Sequence, residues 1–89
     1  MKVIFRKDKE GNVIAFMPQL AANPGNIVCY QHIGQHGEAS VEYYFETVKA
    51  KYAEYKSLKE ELQRIYDDEP LETRERLYCN DLRKSWESV

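Results

Sequence analysis

GNVIAFMPQLAANPGNIVCYQHIGQHG, residues 11–37, contains no Asp, Glu, Lys or Arg. All the formal charges of the chain, 13 basic and 15 acidic, lie in residues 1–10 and 38–89. Asn, Gln, His, Gly and Pro interrupt the stretch, and no apolar run approaches the ~18–20 residues of a membrane span. A charge-free segment in so charged a chain reads as central strands and their connection, covered on both faces. The competing reading is a neutral, polar binding surface.

Working outward, Val13 to Met17 is almost wholly apolar and reads as a strand buried on both sides. Lys2 to Lys7 precedes it, with Val3 and Phe5 on one face and Ile4 on the other. Asp8-Lys9-Glu10-Gly11 supplies a tight turn with Gly11 free to take positive φ. These residues predict an antiparallel hairpin over 2–17. Pro18 stops the second strand because it cannot donate to a ladder. Asn23-Pro24-Gly25-Asn26 suits a type II turn. Ile27 to Ile33 is expected as a third strand, with Ile27, Cys29, Gln31 and Ile33 on one face and Val28, Tyr30 and His32 on the other. Gly34-Gln35-His36-Gly37 reads as a turn.

Residues 40–48, SVEYYFETV, support two readings. Val41, Tyr43 and Phe45 alternate with Glu42, Tyr44 and Glu46, which favours a fourth strand over 40–47. The alternative is one long helix from Ser40 to Tyr66 with Ser40 as N-cap. A helix over 50–66 follows from the stripe Tyr52, Tyr55, Leu58, Leu62 and Ile65. Asp67-Asp68-Glu69-Pro70 marks a break, and Leu71, Tyr78, Leu82 and Trp86 predict a last helix. The fold class is therefore α+β: a small antiparallel sheet of three to four strands followed by two C-terminal helices. With 89 residues the chain has room for one core, mainly β over 1–48 and mainly α over 49–89.

The fragments VIFRK (3–7), GNVIAFMP (11–18), CYQHIGQHG (29–37) and EYKSLKEEL (54–62) resemble a group of small, functionally uncharacterised bacterial proteins, some encoded near mobile or phage-derived elements. The resemblance covers roughly Val3 to Tyr66 and leaves out the last helix. In such proteins a proline often stands between the residues matching Thr47 and Ala50, where this chain has Lys49. A proline there would break a helix, so the resemblance implies a strand before it. It implies a shared fold and no activity.

Composition narrows the function. A content of 43% hydrophobic and 12% aromatic residues is too apolar for disorder. A net charge of −2 lacks the basic excess of a duplex binder. No secretory h-region opens the chain, so a cytoplasmic protein with reduced Cys29 and Cys79 is expected. Cys29, His32 and His36 spell C-x2-H-x3-H. On a strand, however, Cys29 and His32 point to opposite faces, and extended His32 and His36 lie about 13 Å apart. No metal and no cofactor are expected. Cys29 lies among Ile and Val, where a thiol stays neutral and inert. Asp67, Asp68 and Glu69 read as a solvated helix start. Lys2, Arg6, Lys7 and Lys9 make a basic hairpin tip and Arg74, Arg76, Arg83 and Lys84 line the last helix, where they could contact phosphates, but neighbouring acids offset most of them.

Seven tyrosines suit an interface, because Tyr couples apolar area to a hydroxyl. The strand-to-turn stretch carrying Tyr30, His32, Gln35 and His36 is the expected binding site, able to hydrogen-bond a partner without formal charge. The reading that results is a non-enzymatic protein that binds another protein. The alternatives are a nucleic-acid-associated accessory protein and, behind it, a small His-dependent metal or hydrolytic enzyme. A homodimer is a further expectation, since a small sheet leaves an edge strand needing cover.

Overall fold

The computed structural model describes residues 1–32 and 34–87. Strands β1 (Lys2–Lys7) and β2 (Val13–Met17) form the expected hairpin, with Ile4 opposite Phe16 and Arg6 opposite Ile14. The turn closes by a hydrogen bond from the Gly11 amide to the Asp8 carbonyl, with Gly11 at φ +86°. The Asp8 carboxylate accepts the amides of Glu10 and Asn12. β3 (Asn26–Tyr30) pairs antiparallel with β2, and β4 (His36–Ser40) pairs antiparallel with β3.

The chain then runs through α1 (Val41–Glu46), β5 (Val48–Lys49), α2 (Tyr52–Ile65), β6 (Glu72–Thr73) and α3 (Cys79–Glu87). The order across the sheet is β4-β3-β2-β1-β5, and β6 pairs parallel with the start of β1. The outer edge of β1 is thus covered twice, by β5 near Arg6 and Lys7 and by β6 near Lys2 and Val3.

Two cores flank the sheet. On one face, Val3, Phe5, Ala15, Met17 and Tyr30 pack with Leu58 and Leu62 of α2. The Phe5 and Tyr55 rings stack there at 4.3 Å. On the other face, Ile4, Ile14, Phe16 and Ile27 pack with Tyr44 of α1 and Leu82 of α3. Strand β2 is therefore covered on both sides, which is why its sequence does not alternate. The loop after it turns where expected: the Asn26 amide bonds the Asn23 carbonyl at 2.9 Å, with Gly25 at φ +91°.

Four local expectations are corrected. Residues 41–46 are helical, not a strand. The Ser40 hydroxyl accepts the Tyr43 amide at 3.0 Å and so nucleates α1. The helix does not continue to Tyr66, because Thr47 closes it: the Thr47 hydroxyl bonds the Tyr44 carbonyl. Arg6 then grips Thr47 through Nε to Oγ1 at 3.0 Å and Nη2 to the carbonyl at 2.6 Å. The guanidinium lies 4.6 Å from the Tyr44 ring centre, a cation–π contact that fastens α1 to β1. The third strand ends at Tyr30 rather than at residue 33. His32 lies in the turn that follows, and Ile33 lies outside the described residues. His36 and Gly37 belong to β4, not to a turn. The last helix begins at Cys79; Leu71 to Tyr78 is non-helical and contains β6.

The α2 stripe is narrower than its periodicity. Leu58 and Leu62 are fully buried and Tyr55 is half-buried, but Tyr52 and Ile65 are 58% and 47% exposed. Leu62→Ala is therefore expected to lower stability by about 2–5 kcal/mol, and Tyr52→Ala to change it by about 0.5 kcal/mol or less. Urea unfolding of the two variants beside the parent measures the difference.

Candidate functional site

At one end of the sheet, Tyr30, His32 and His36 face α2 and meet a polar row on that helix. Tyr30 is the last residue of β3, and His36, opposite it, is the first of β4. Their rings lie 4.9 Å apart. Ser57 and Glu61 stand four residues apart on α2, hence on one face.

The Tyr30 hydroxyl donates to Glu61 Oε2 at 2.5 Å. His32 Nδ1 lies 2.8 Å from Glu61 Oε1, and His32 Nε2 lies 3.1 Å from Ser57 Oγ. A carboxylate opposite Nδ1 places the proton there, so in the neutral ring Nε2 accepts from the Ser57 hydroxyl. Both oxygens of Glu61 are thus occupied by donors. The Tyr30 and His32 bonds hold its carboxyl below the usual range, and the same bond pushes the Tyr30 phenol up. His36 turns the other way along the helix, with Nε2 2.8 Å from the Tyr66 hydroxyl.

The arrangement has hydroxyl, imidazole and carboxylate in the order used by serine hydrolases. Acyl transfer also needs donors aimed at the oxyanion. Ser57 lies within α2, where the surrounding amides bond along the helix, so the backbone beside it offers none. What the network does is bolt the β3–β4 end of the sheet to α2.

Of the four residues expected to bind, Tyr30, His32 and His36 come together on α2, while Gln35 is exposed and joins none of these contacts. Tyr30 is 3% exposed and His32 about half exposed. Cys29 is on the opposite face of β3, among Ile27 and Phe16, where burial raises its thiol. It does not meet the histidines. Among the described residues, no three His, Cys, Asp or Glu side chains converge as a metal would require. Ser57, Glu61 and Tyr66 were not anticipated, although the four-residue step between Ser57 and Glu61 was a readable signal.

Four of the cations pair with acids. Lys2 pairs with Asp81 at 3.1 Å, Lys7 with Glu54 at 2.7 Å, Lys49 with Glu75 and Arg74 with Glu72. Lys2 lies at the opposite end of the hairpin from Lys9, so the four cations of residues 1–10 do not gather at one place. No helix among the described residues is long and apolar enough to cross a membrane.

The remaining feature of this region is its edge. β4 has β3 on one side and no strand on the other among the described residues. The Val41 amide donates to the Gly25 carbonyl at 2.9 Å. Continuing that register along the strand makes Ala39–Ile27 and Gly37–Cys29 the hydrogen-bonded pairs. The main-chain groups of His36 and Glu38 therefore point away from the sheet. The Glu38 side chain is folded back: its Oε1 accepts Asn23 N, Asn23 Nδ2 and Asn26 Nδ2 at 3.1–3.3 Å. Those donors hold its carboxyl below the usual range.

No protein-family model, no curated protein and no solved structure matches this chain.

Two expectations follow for the network. Glu61 has a depressed folded pKa, so its contribution is present above the ordinary value of 4.5 and is lost as pH falls through the folded value. Glu61→Gln should be less stable than the parent at pH 7, and the gap should narrow below pH ~4.5; denaturant midpoints across that range measure it. Gln35→Ala should melt within about 0.5 kcal/mol of the parent, whereas His36→Ala, which strands the Tyr66 hydroxyl, should cost about 0.5–1.5 kcal/mol.

Proposed function

We propose that this chain is a non-enzymatic binding protein that takes an extended segment of another polypeptide along β4. The observation that carries the reading is the open edge at His36–Ser40. Sheet edges attract strands because their N–H and C=O groups are unpaired, and proteins ordinarily blunt them with Pro, Lys, bulges or a covering element. The β1 edge is covered by β5 and β6. β4 carries no Pro and no Lys, and its one charged side chain is tied back to Asn23 and Asn26. Strand addition draws affinity from the main chain and specificity from alternate side chains. On one face those are His36 and Glu38; on the other, Gly37 and Ala39 leave room for a partner's side chains. The network under Tyr30 and His36 supports this use, because a rigid edge loses less freedom when a strand binds.

The nucleic-acid alternative has less behind it, since paired cations have fewer counterions to release. The hydrolytic alternative meets the missing oxyanion donor.

Proline at position 38 removes the outward amide without breaking the ladder to β3, and alanine at 38 removes the same carboxylate while keeping that amide. Glu38→Ala is expected to retain a host protein captured by the immobilised parent chain, and Glu38→Pro to lose it at an equal melting temperature. Capture unchanged in Glu38→Pro overturns the reading.

A further inference from the structure

We infer that the strand received by β4 is a second copy of β4, antiparallel to the first and centred on Gly37. The inference rests on the open edge as the binding surface and adds the identity and register of the occupant.

The outward-pointing residues restrict the possible registers. In an antiparallel pair, the residues that exchange hydrogen bonds must both point at the partner, so only His36, Glu38 and Ser40 qualify. Ser40 is already committed, because it is the N-cap of α1 and its carbonyl starts that helix. Glu38 opposite Glu38 of the second copy sets like charges face to face, which is destabilising. His36 opposite His36 leaves Glu38 beyond the end of the paired segment. The remaining register sets His36 opposite Glu38 of the second copy and, by symmetry, Glu38 opposite its His36. Each pair exchanges both main-chain bonds.

Side chains fit the same register. His36 uses Nε2 on Tyr66, and its Nδ1 has no partner among the described residues. Glu38 uses Oε1 on the two asparagines, and its Oε2 has none. Both side chains lie on the α2 face of the sheet, so the free nitrogen of one copy meets the free oxygen of the other. At the dyad, Gly37 faces Gly37 in a non-hydrogen-bonded pair, the closest approach in such a ladder at about 4.5 Å between Cα atoms. A Cβ built on Gly37 meets nothing within 4 Å in the isolated chain. The glycine is thus not required by its own fold, and here it clears the dyad for the α1 face of both copies. Two short edges bury less than the ~1,200 Å² of a standard interface, so the dimer is weak and depends on concentration.

Two measurements test this. Sedimentation equilibrium of the parent from about 10 μM to about 1 mM should show a mass that climbs toward twice the monomer, and Glu38→Pro should stay monomeric. In a Cys29→Ala, Cys79→Ala background, which removes the thiol opposite Gly37 in β3, Gly37→Cys should form an interchain disulfide under mild oxidation. Ala39→Cys should not, since its symmetry mate lies about 13 Å away in this register. Equal crosslinking of Ala39→Cys overturns the register. A parent that is monomeric at every concentration overturns the second copy as occupant, while loss of captured protein in Glu38→Pro but not Glu38→Ala would still uphold the open edge. A dimer that survives Glu38→Pro places self-association on another surface and overturns the inference.

Discussion

Coverage of β2 on both faces is the constraint from which the rest of this fold follows. Ile14, Ala15, Phe16 and Met17 are all removed from water, with Ala15 and Met17 against α2 and Ile14 and Phe16 against the α1–α3 side. A strand with no solvent face cannot carry an unpaired charge. Its neighbours must then supply two apolar surfaces, which a hairpin and one helix cannot do. The third layer comes from α1 and α3, and the linkers that place them also produce β5 and β6. The charged residues lie outside β2, and some tie the layers together: Lys2 of β1 pairs with Asp81 of α3 and Lys7 of β1 with Glu54 of α2.

Much of this was legible because it was local. Gly11 and Gly25 adopt the positive φ that their turns require, and Val13–Met17 read as doubly buried because it lacks alternation. The misreadings arose where a distant partner decides. Val41–Glu46 has strand-forming residues and a strand's alternation, yet Ser40 caps it into a helix that Thr47 closes, and Arg6 of β1 holds Thr47 in that place. No pattern within 40–48 encodes that arginine. The Leu71–Trp86 periodicity likewise reads as one helix, but Glu72 and Thr73 are drawn into an extended conformation by the free edge of β1. Tyr52 and Ile65 continue the α2 stripe in sequence, yet neither belongs to the core that Leu58 and Leu62 share with the sheet.

The candidate site was half legible for the same reason. Tyr30, His32 and His36 were identifiable as polar residues in a charge-free stretch. Their partners lie some thirty positions on, and nothing local pairs them. Gln35, grouped with them by the glycines on either side, stays in solvent. The pairing also changes what the histidines are for. Anchored on Ser57, Glu61 and Tyr66, they tie the β3–β4 end of the sheet to α2.

The double cover on β1 has a consequence for the order in which the chain matures. The hairpin partners of β1 are complete by Met17, but β5 arrives only at Val48 and β6 only at Glu72. Domains form during synthesis at about 5–20 residues per second, so the edge of β1 near Lys2 and Val3 stays unsealed for seconds after the hairpin has been made. The segment closing it last is a parallel pair between residues about seventy positions apart, the kind of contact whose loop-closure entropy must be met before it returns anything. Until Glu72 is made, the Lys2–Val3 part of the β1 edge therefore stands open beside the edge of β4, a second surface on which the growing chain can take up a foreign strand.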